Sequence, residues 1–212
     1  MSIINSIQAI QIIDSRGTPT VSCKVILDNG IYATSMVPSG ASTGSKEALE
    51  LRDDDSAFMG KGVSKAVANI KEVIAPALIG MDVTNQQDID EKMLALDGTS
   101  SKSKLGANAI LGSSLAVLHA GSKALKLPLY KYINQVFSNI NGDKPKMRMP
   151  TPMLNIINGG EHANNNIDIQ EFMIMPVGAD NFFQAMQWAT EIYSDLKSIL
   201  HSKGLSTSVG DE

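Results

Sequence analysis

A polar loop between two apolar runs carries the side chains best suited to chemistry. The loop lies between Asn155 and Phe172, and an apolar run enters it through Gly159-Gly160. Its His162 is a candidate metal ligand, acid/base group or hydrogen-bond donor to a substrate. Gln170 and Glu171 are neighbours, so a regular strand points them to opposite faces, and only an irregular strand start or a bulge brings both into one site. Such loops are often only solvated, but a position between two apolar strands favours a functional loop.

Two acidic residues close the chain. The segment from Leu205 to Glu212 is strand-like and ends in Asp211 and Glu212. A barrel strand delivers catalytic carboxylates to its C-terminal end in this way, although a terminal Asp-Glu pair alone is more often a solvated tail. The catalytic interpretation predicts that the chain is a piece of a longer enzyme.

A second candidate site is a loop rich in glycine and hydroxyl residues, at positions 37–47. It does not match a P-loop, because three residues rather than four separate Gly40 from Gly44, and Lys46 does not follow Gly44 directly. Two interpretations stay open: a loop whose hydroxyls and amides close over an anion or a metal, or a flexible connection that caps a helix at Lys46. The acidic trio at 53–55 is either a cation site or, more often, a solvated helix end.

The composition is typical of a globular protein. The 212 residues are 43% hydrophobic and 19% charged, with a net charge of −4, which argues against a general affinity for nucleic acid or anionic membranes. No apolar run approaches the length of a spanning helix, and the first residues lack the features of a secretory signal. The single Cys23 cannot form an internal disulfide. These features predict a cytoplasmic protein with no membrane span and no nucleic-acid partner.

The first third of the chain predicts an antiparallel meander that leads into helices. Residues 3–13 and 21–27 form two strands, and residues 28–30 (Asp-Asn-Gly) mark a tight hairpin turn into a third strand at 31–37. The covered face of the second strand is predicted to carry Val21, Cys23, Val25 and Leu27. Helical periodicity follows at residues 63–75, ending at Pro76, at 89–96 and at 105–127. The apolar face of the last helix is predicted to consist of Ala107, Ile110, Leu111, Leu115 and Leu118.

A turn-rich stretch at 139–146 predicts a domain boundary. Residues 1–140 are expected to form an α+β domain, an antiparallel meander plus helices, with a mobile loop at 37–45. Residues 141–212 contain strand patterns at 153–158 and 172–177, then a helical apolar stripe from Phe182 to Ile199. This order predicts the opening strands and helix of an incomplete α/β (TIM-like) barrel, since a closed barrel needs roughly 250 residues.

Several of these motifs resemble those of the enolase family. Residues 37–44 and 47–53 are similar to the mobile first loop of that family, and residues 106–112 are similar to its helical signature. Residues 155–162, 170–174 and 209–212 resemble its barrel-opening strands. The match runs over the whole chain in the family's order, and it covers the N-terminal half of an enolase.

The resemblance implies a lyase of glycolysis and gluconeogenesis that dehydrates 2-phosphoglycerate, a small phosphorylated hydroxy acid, to phosphoenolpyruvate with Mg²⁺. By position, Glu212 resembles the general acid for hydroxide departure, and Glu171 a second active-site carboxylate. His162 and Gln170 align with substrate-binding groups, while Ser42 aligns with the loop residue that reaches the second Mg²⁺. Such ions are needed because removing a proton beside a carboxylate creates a doubled negative charge.

The resemblance also implies a homo-oligomer, a dimer or higher, when the protein is full length. It implies a cytoplasmic location, and it is compatible with surface or secreted forms. The family's three carboxylates for the first Mg²⁺, its base lysine and its phosphate-binding residues come later than Glu212. The 212-residue chain alone is therefore expected to be inactive. Two alternatives stay open: a non-catalytic fragment that acts as an interaction or folding module, and another enzyme of the superfamily, against which the loop with Ser42 argues.

Overall fold

The computed structural model describes residues 1–40, 43–143 and 145–209. The described residues form two compact units. The first contains residues up to 39 and from 44 to 145, and the second contains residues from 146 onward together with Gly40 and Thr43.

A three-stranded antiparallel sheet begins the first unit. Its strands are β1 (Ile4–Ile13), β2 (Pro19–Leu27) and β3 (Tyr32–Met36), with β2 in the centre. The turn between β2 and β3 is a three-residue hairpin loop: Leu27 N donates to Ile31 O (2.8 Å), and Gly30 N donates to Leu27 O (3.0 Å). Gly30 has φ +79°, the left-handed conformation that this loop requires after its type I turn. The predicted hairpin is therefore confirmed.

The covered face of the sheet follows the predicted register. Val21, Cys23, Val25 and Leu27 are all buried in the core of the first unit. Ser22 lies on the opposite face of β2 and is also buried. Its Oγ donates to Ser35 O (3.2 Å) on the neighbouring strand β3, so this buried hydroxyl has a partner. Period-two alternation therefore identified the core-facing set correctly.

Helices follow the sheet. They are α1 (Ser64–Asn69), a π turn (Ile70–Ile74), α2 (Ala75–Leu78), α3 (Gln86–Asp97), α4 (Ala107–Ala124) and α5 (Leu129–Asn141). The first three together with α4 contact the strands of the sheet. The first three are continuous, so the helix extends beyond its predicted end at Pro76. Proline has no N–H and its ring crowds the carbonyl four residues earlier, and the wider π turn directly before α2 relieves this conflict.

Helix α4 lies against β2 and β3 through small residues rather than leucines. Its fully covered positions include Ala109, Ser113, Ala116 and Ala120, while Leu111 is 40% exposed and the predicted positions 107, 115 and 118 are half-buried. Of the predicted apolar face, Ile110 alone is buried. Small side chains let the helix approach the sheet closely enough for Ser35 Oγ to donate to Gly112 O (2.6 Å).

The second unit contains a two-stranded sheet and one long helix. Strand β4 (Leu154–Asn158) pairs antiparallel with β5 (Glu171–Ile174), and α6 (Phe182–Ser202) follows. The side chain of Asn181 accepts from Gln184 N (2.9 Å) and caps α6. Residues 205–209 form no strand, so the strand predicted at 205–212 is wrong over its described part. A strand needs a neighbour for its N–H and C=O groups, and none pairs with these five residues.

None of the helices in the described part of the chain is long and apolar enough to cross a membrane.

Candidate functional site

The polar loop of the second unit connects β4 to β5 across a β-bulge. Asn155 pairs with Met173 and Ile157 pairs with Phe172, so Ile156 is the extra residue on β4. Strand β5 begins at Glu171, which is half-buried. Gln170 precedes the strand and its side chain is exposed. The bulge therefore lies on the partner strand, and the neighbours Gln170 and Glu171 differ in burial.

Two glycines bring the ends of this loop together. Gly159 N donates to Gln170 O (3.0 Å), and Gly160 N donates to Ile167 O (2.7 Å). A Cβ atom at Gly159 would lie 2.6 Å from Ile169 O, closer than real Cβ contacts allow. Gly159 is thus required by a close backbone approach. It also ends β4 and starts the short turn Gly160–His162, in which His162 N donates to Gly159 O (3.0 Å).

Asparagine side chains hold the rest of the loop. Asn165 Nδ2 donates to Asn158 O (3.0 Å), and Asn165 Oδ1 accepts from Ile167 N (2.9 Å). Asn155 Nδ2 donates to Asn158 Oδ1. Sequence reasoning assigned no role to these asparagines individually, although the tendency of asparagine to bond nearby backbone groups was a usable signal. The loop is thus organised by its own hydrogen bonds rather than being merely solvated.

The result of this folding is a close pair of His162 and Glu171. His162 Nδ1 lies 3.0 Å from Glu171 Oε1, and the two side chains are 9% and 27% exposed. The distance permits an ion pair when the imidazole is protonated. Both ring nitrogens of a protonated imidazole carry hydrogen, so Nε2 would then be a donor on the side of the ring away from Nδ1.

The small-residue loop of the first unit is anchored at Ser39. Arg16 donates to Ser39 O (2.5 Å), and Arg52 lies within hydrogen-bond distance of Ser39 Oγ (3.3 Å). Ser39 Oγ in turn contacts Glu50 Oε2 (3.0 Å), and the same carboxylate pairs with Arg52 (2.6 Å). Sequence reasoning assigned no individual role to Arg16, Glu50 or Arg52.

The acidic trio contains a buried helix cap. Asp53 accepts from Ser64 N (2.8 Å), Ser64 Oγ (2.7 Å) and Lys65 N (2.8 Å) at the start of α1. Burial alone would raise the pKa of Asp53, but the hydrogen bonds from Lys65 and Ser64 outweigh it and lower the pKa. The expectation of a solvated helix end is therefore wrong for Asp53, which is buried.

Two predicted site residues, Ser42 and Glu212, lie outside the described residues, so their roles stay predictions. Within residues 1–40, 43–143 and 145–209, no group of three or more His, Cys, Asp or Glu side chains could hold a metal ion.

Comparisons with known proteins agree with the two-unit organisation. Residues 4–133 match the family model described as enolase, N-terminal domain. Residues 146–212 match the model described as enolase, C-terminal TIM barrel domain, so the second unit is the start of that barrel. A curated enolase from Desulfotalea psychrophila is 54% identical over 211 residues, which is 99% of this chain and 48% of the relative. The chain thus spans about half the length of the curated relative. Its sequence and both of its domains show that it belongs to the enolase family.

Proposed function

We propose that the full-length protein is a phosphopyruvate hydratase, which dehydrates 2-phosphoglycerate to phosphoenolpyruvate in glycolysis and gluconeogenesis. The relative's name and both family models support this activity. The observation that carries it is the close pair of buried His162 and half-buried Glu171 at the β4–β5 connection. The resemblance to the enolase family assigns both residues to the active site.

The pair has a direct use in binding an anionic substrate. A protonated His162 offers its Nε2–H to a substrate oxygen, while Glu171 holds the ring in place and balances its charge. Gln170 lies next to Glu171 and its side chain is exposed, which leaves it accessible to a ligand. We assign His162 and Gln170 to substrate binding, and Glu171 to both binding and catalysis.

Glu212 is proposed as the general acid. Hydroxide is a poor leaving group, so a carboxylic acid that donates a proton to the departing oxygen lowers the barrier. The base that removes the α-proton is assigned to the part of the protein beyond this chain.

Magnesium is proposed as the cofactor from family membership. The described residues do not fit a complete magnesium site, because they contain no group of three or more His, Cys, Asp or Glu side chains that could hold a metal ion. Most of the magnesium ligands must then come from other parts of the full-length protein, and we propose Ser42 as one of them. We also propose a cytoplasmic homo-oligomer, in keeping with the family.

The proposal is tested with Glu212→Gln in the full-length protein. Exchange of the substrate's α-proton with solvent should continue, whereas elimination should slow by about 10²–10⁴-fold, as is typical for loss of a general acid. Glu72→Gln, which alters an exposed carboxylate of the first unit, is the matched control. Equal losses of exchange and elimination would remove Glu212 from this role, and a wild-type enzyme that produces no phosphoenolpyruvate with magnesium would refute the function itself.

A further inference from the structure

Ser39 is held by side chains from two separate parts of the first unit. Arg16, from the β1–β2 turn, binds its carbonyl oxygen (2.5 Å). Glu50 and Arg52, which follow the small-residue loop, contact its hydroxyl (3.0 and 3.3 Å). Both the backbone and the side chain of Ser39 thus contact charged groups, and charge-assisted bonds are stronger than neutral ones.

The two arginines are themselves fixed to the sheet. Asp14 Oδ1 accepts from Arg16 N (2.9 Å) and Thr18 N (2.8 Å), which orders the β1–β2 turn. Arg52 Nη1 donates to Pro19 O (2.5 Å) at the start of β2 and to Lys61 O (2.7 Å). Ser39 is therefore tied to the β1–β2 turn through Arg16 and to the start of β2 through Arg52.

Ser39 is also the last residue before the chain leaves the first unit, since Gly40 belongs to the second. It precedes Ser42 by three positions. The anchor thus fixes the point from which the residues assigned to the active site depart. A displacement of about 1 Å in a catalytic group can cost about 10²-fold in rate.

We propose that Glu50 is a positioning residue for the dehydration reaction and that it acts through the hydroxyl of Ser39. The proposal rests on the function proposed above. Glu50 pairs with Arg52 (2.6 Å), so the carboxylate is held in place when it contacts Ser39 Oγ.

Ser39→Ala removes the Ser39–Glu50 contact while it leaves the other contacts of this region largely in place. It removes the hydroxyl but keeps the carbonyl that Arg16 binds, and it keeps the Glu50–Arg52 pair. Substitution of Arg52 would be a poorer test, because its guanidinium also ties Pro19 and Lys61 together.

The experiment compares steady-state kinetics of full-length wild type, Ser39→Ala, Ser39→Thr and Glu50→Gln. We expect Ser39→Ala to lower kcat/KM by about tenfold, mainly through kcat, which corresponds to one lost hydrogen bond to a charged group. Ser39→Thr retains a hydroxyl and should restore most of the rate. Ser56→Ala is the matched control, since Ser56 is an exposed serine of the first unit whose side chain makes no capping hydrogen bond.

Two further readouts separate positioning from folding. Adding Ser39→Ala to Glu50→Gln should cost less than Ser39→Ala costs in wild type, because both changes act on the Ser39–Glu50 contact. Amide hydrogen exchange at residues 40–47 should quicken severalfold in Ser39→Ala, while that of β1 to β3 should not change. A Ser39→Ala enzyme with wild-type kcat/KM, or additive losses in the double variant, would overturn the proposal. An inactive wild type would instead refute the function on which it rests.

Discussion

Single buried carboxylates of the first unit determine how its stability responds to pH. Asp53 and Asp97 are both buried. Burial alone raises the pKa of each, but hydrogen bonds outweigh it: those from Lys65 and Ser64 for Asp53, and those from Thr99 and Leu105 for Asp97. The pKa of both residues is therefore below the ordinary 3.8 in the folded chain. Because the pKa of each carboxyl is higher in the unfolded chain, the unfolded chain binds protons first as the pH falls. The stabilisation by these two carboxylates is therefore complete above the unfolded pKa, and it is lost as the pH falls through the folded pKa.

We predict that Asp53→Asn makes the stability less dependent on pH. The variant should lose about 1–3 kcal/mol of unfolding free energy at neutral pH, because charged acceptors bond the α1 amides more strongly than a neutral amide does. Its unfolding free energy should then fall less steeply than that of wild type between about pH 5 and pH 3. Urea titrations across this range measure both effects, with Asp88→Asn, an exposed carboxylate of α3, as control. Parallel pH profiles for Asp53→Asn and wild type would contradict the assignment.

The buried thiol gives a second prediction at this scale. Burial raises the pKa of Cys23 to about 11, against a smaller lowering by the Ser113 hydroxyl. A thiol with this pKa is almost entirely protonated at pH 8, and thiolate is the reactive form. We expect a disulfide reagent such as DTNB to label Cys23 extremely slowly in the folded chain and rapidly in guanidinium. Fast labelling without denaturant would show that Cys23 is accessible.

Residue identities were easier to predict from sequence than residue partners. His162 and Glu171 stood out because titratable groups between two apolar strands are unusual, but their contact depends on how the loop between them folds, which no local pattern announces. The same limit applies to Arg16 and Ser39, which are 23 positions apart and meet only because the β1–β2 turn folds back. Side-chain chemistry is local, whereas these contacts are set by tertiary geometry.

At the scale of elements, strand alternation was a better guide than helical periodicity. The sheet has one covered face, so a one-residue shift would expose the whole set that includes Val21 and Val25. Helix α4 contacts the sheet along small residues, and its exposed Leu111 shows that side-chain size misled the prediction of its buried face. The π turn before Pro76 was not predicted either, because proline usually marks the end of a helix.

The register of the sheet can be tested with two single variants. Val25→Ala removes two methyl groups from the core and should cost about 2 kcal/mol of unfolding free energy. Thr34 on the neighbouring strand β3 pairs with Lys24 and is exposed, so Thr34→Ala should change the unfolding free energy by less than about 0.5 kcal/mol. Chemical denaturation of the 212-residue chain gives both values. Similar costs at the two positions would contradict the register.

At the scale of the whole molecule, the two units differ in how much apolar surface they cover. The hydrophobic core of the first unit contains side chains of both β2 and α4, which pack against each other. Within the described part of the second unit, the buried hydrophobic residues are Ala185 and Ala189, while Val177 and Phe183 are 78% and 79% exposed. Apolar stripes evolve to be covered, so these side chains indicate a barrel whose other strands and helices lie beyond the matched half.

We therefore predict that the isolated 212-residue chain has no measurable dehydratase activity and tends to self-associate. The proposed base and most of the proposed metal ligands are assigned to the remaining half, so neither proton removal nor charge stabilisation can be complete. The exposed side chains of Phe172 and Phe183, and the unpaired edges of the β4–β5 pair, favour contacts with another copy or with that half supplied as a separate chain. The measurements are a phosphoenolpyruvate assay and a sedimentation mass, with the full-length protein as the control and the separate second half as an added partner. Restored turnover on mixing the halves would support the assignment, whereas an isolated monomer with full-length activity would contradict both the placement of the base and the need for the rest of the barrel.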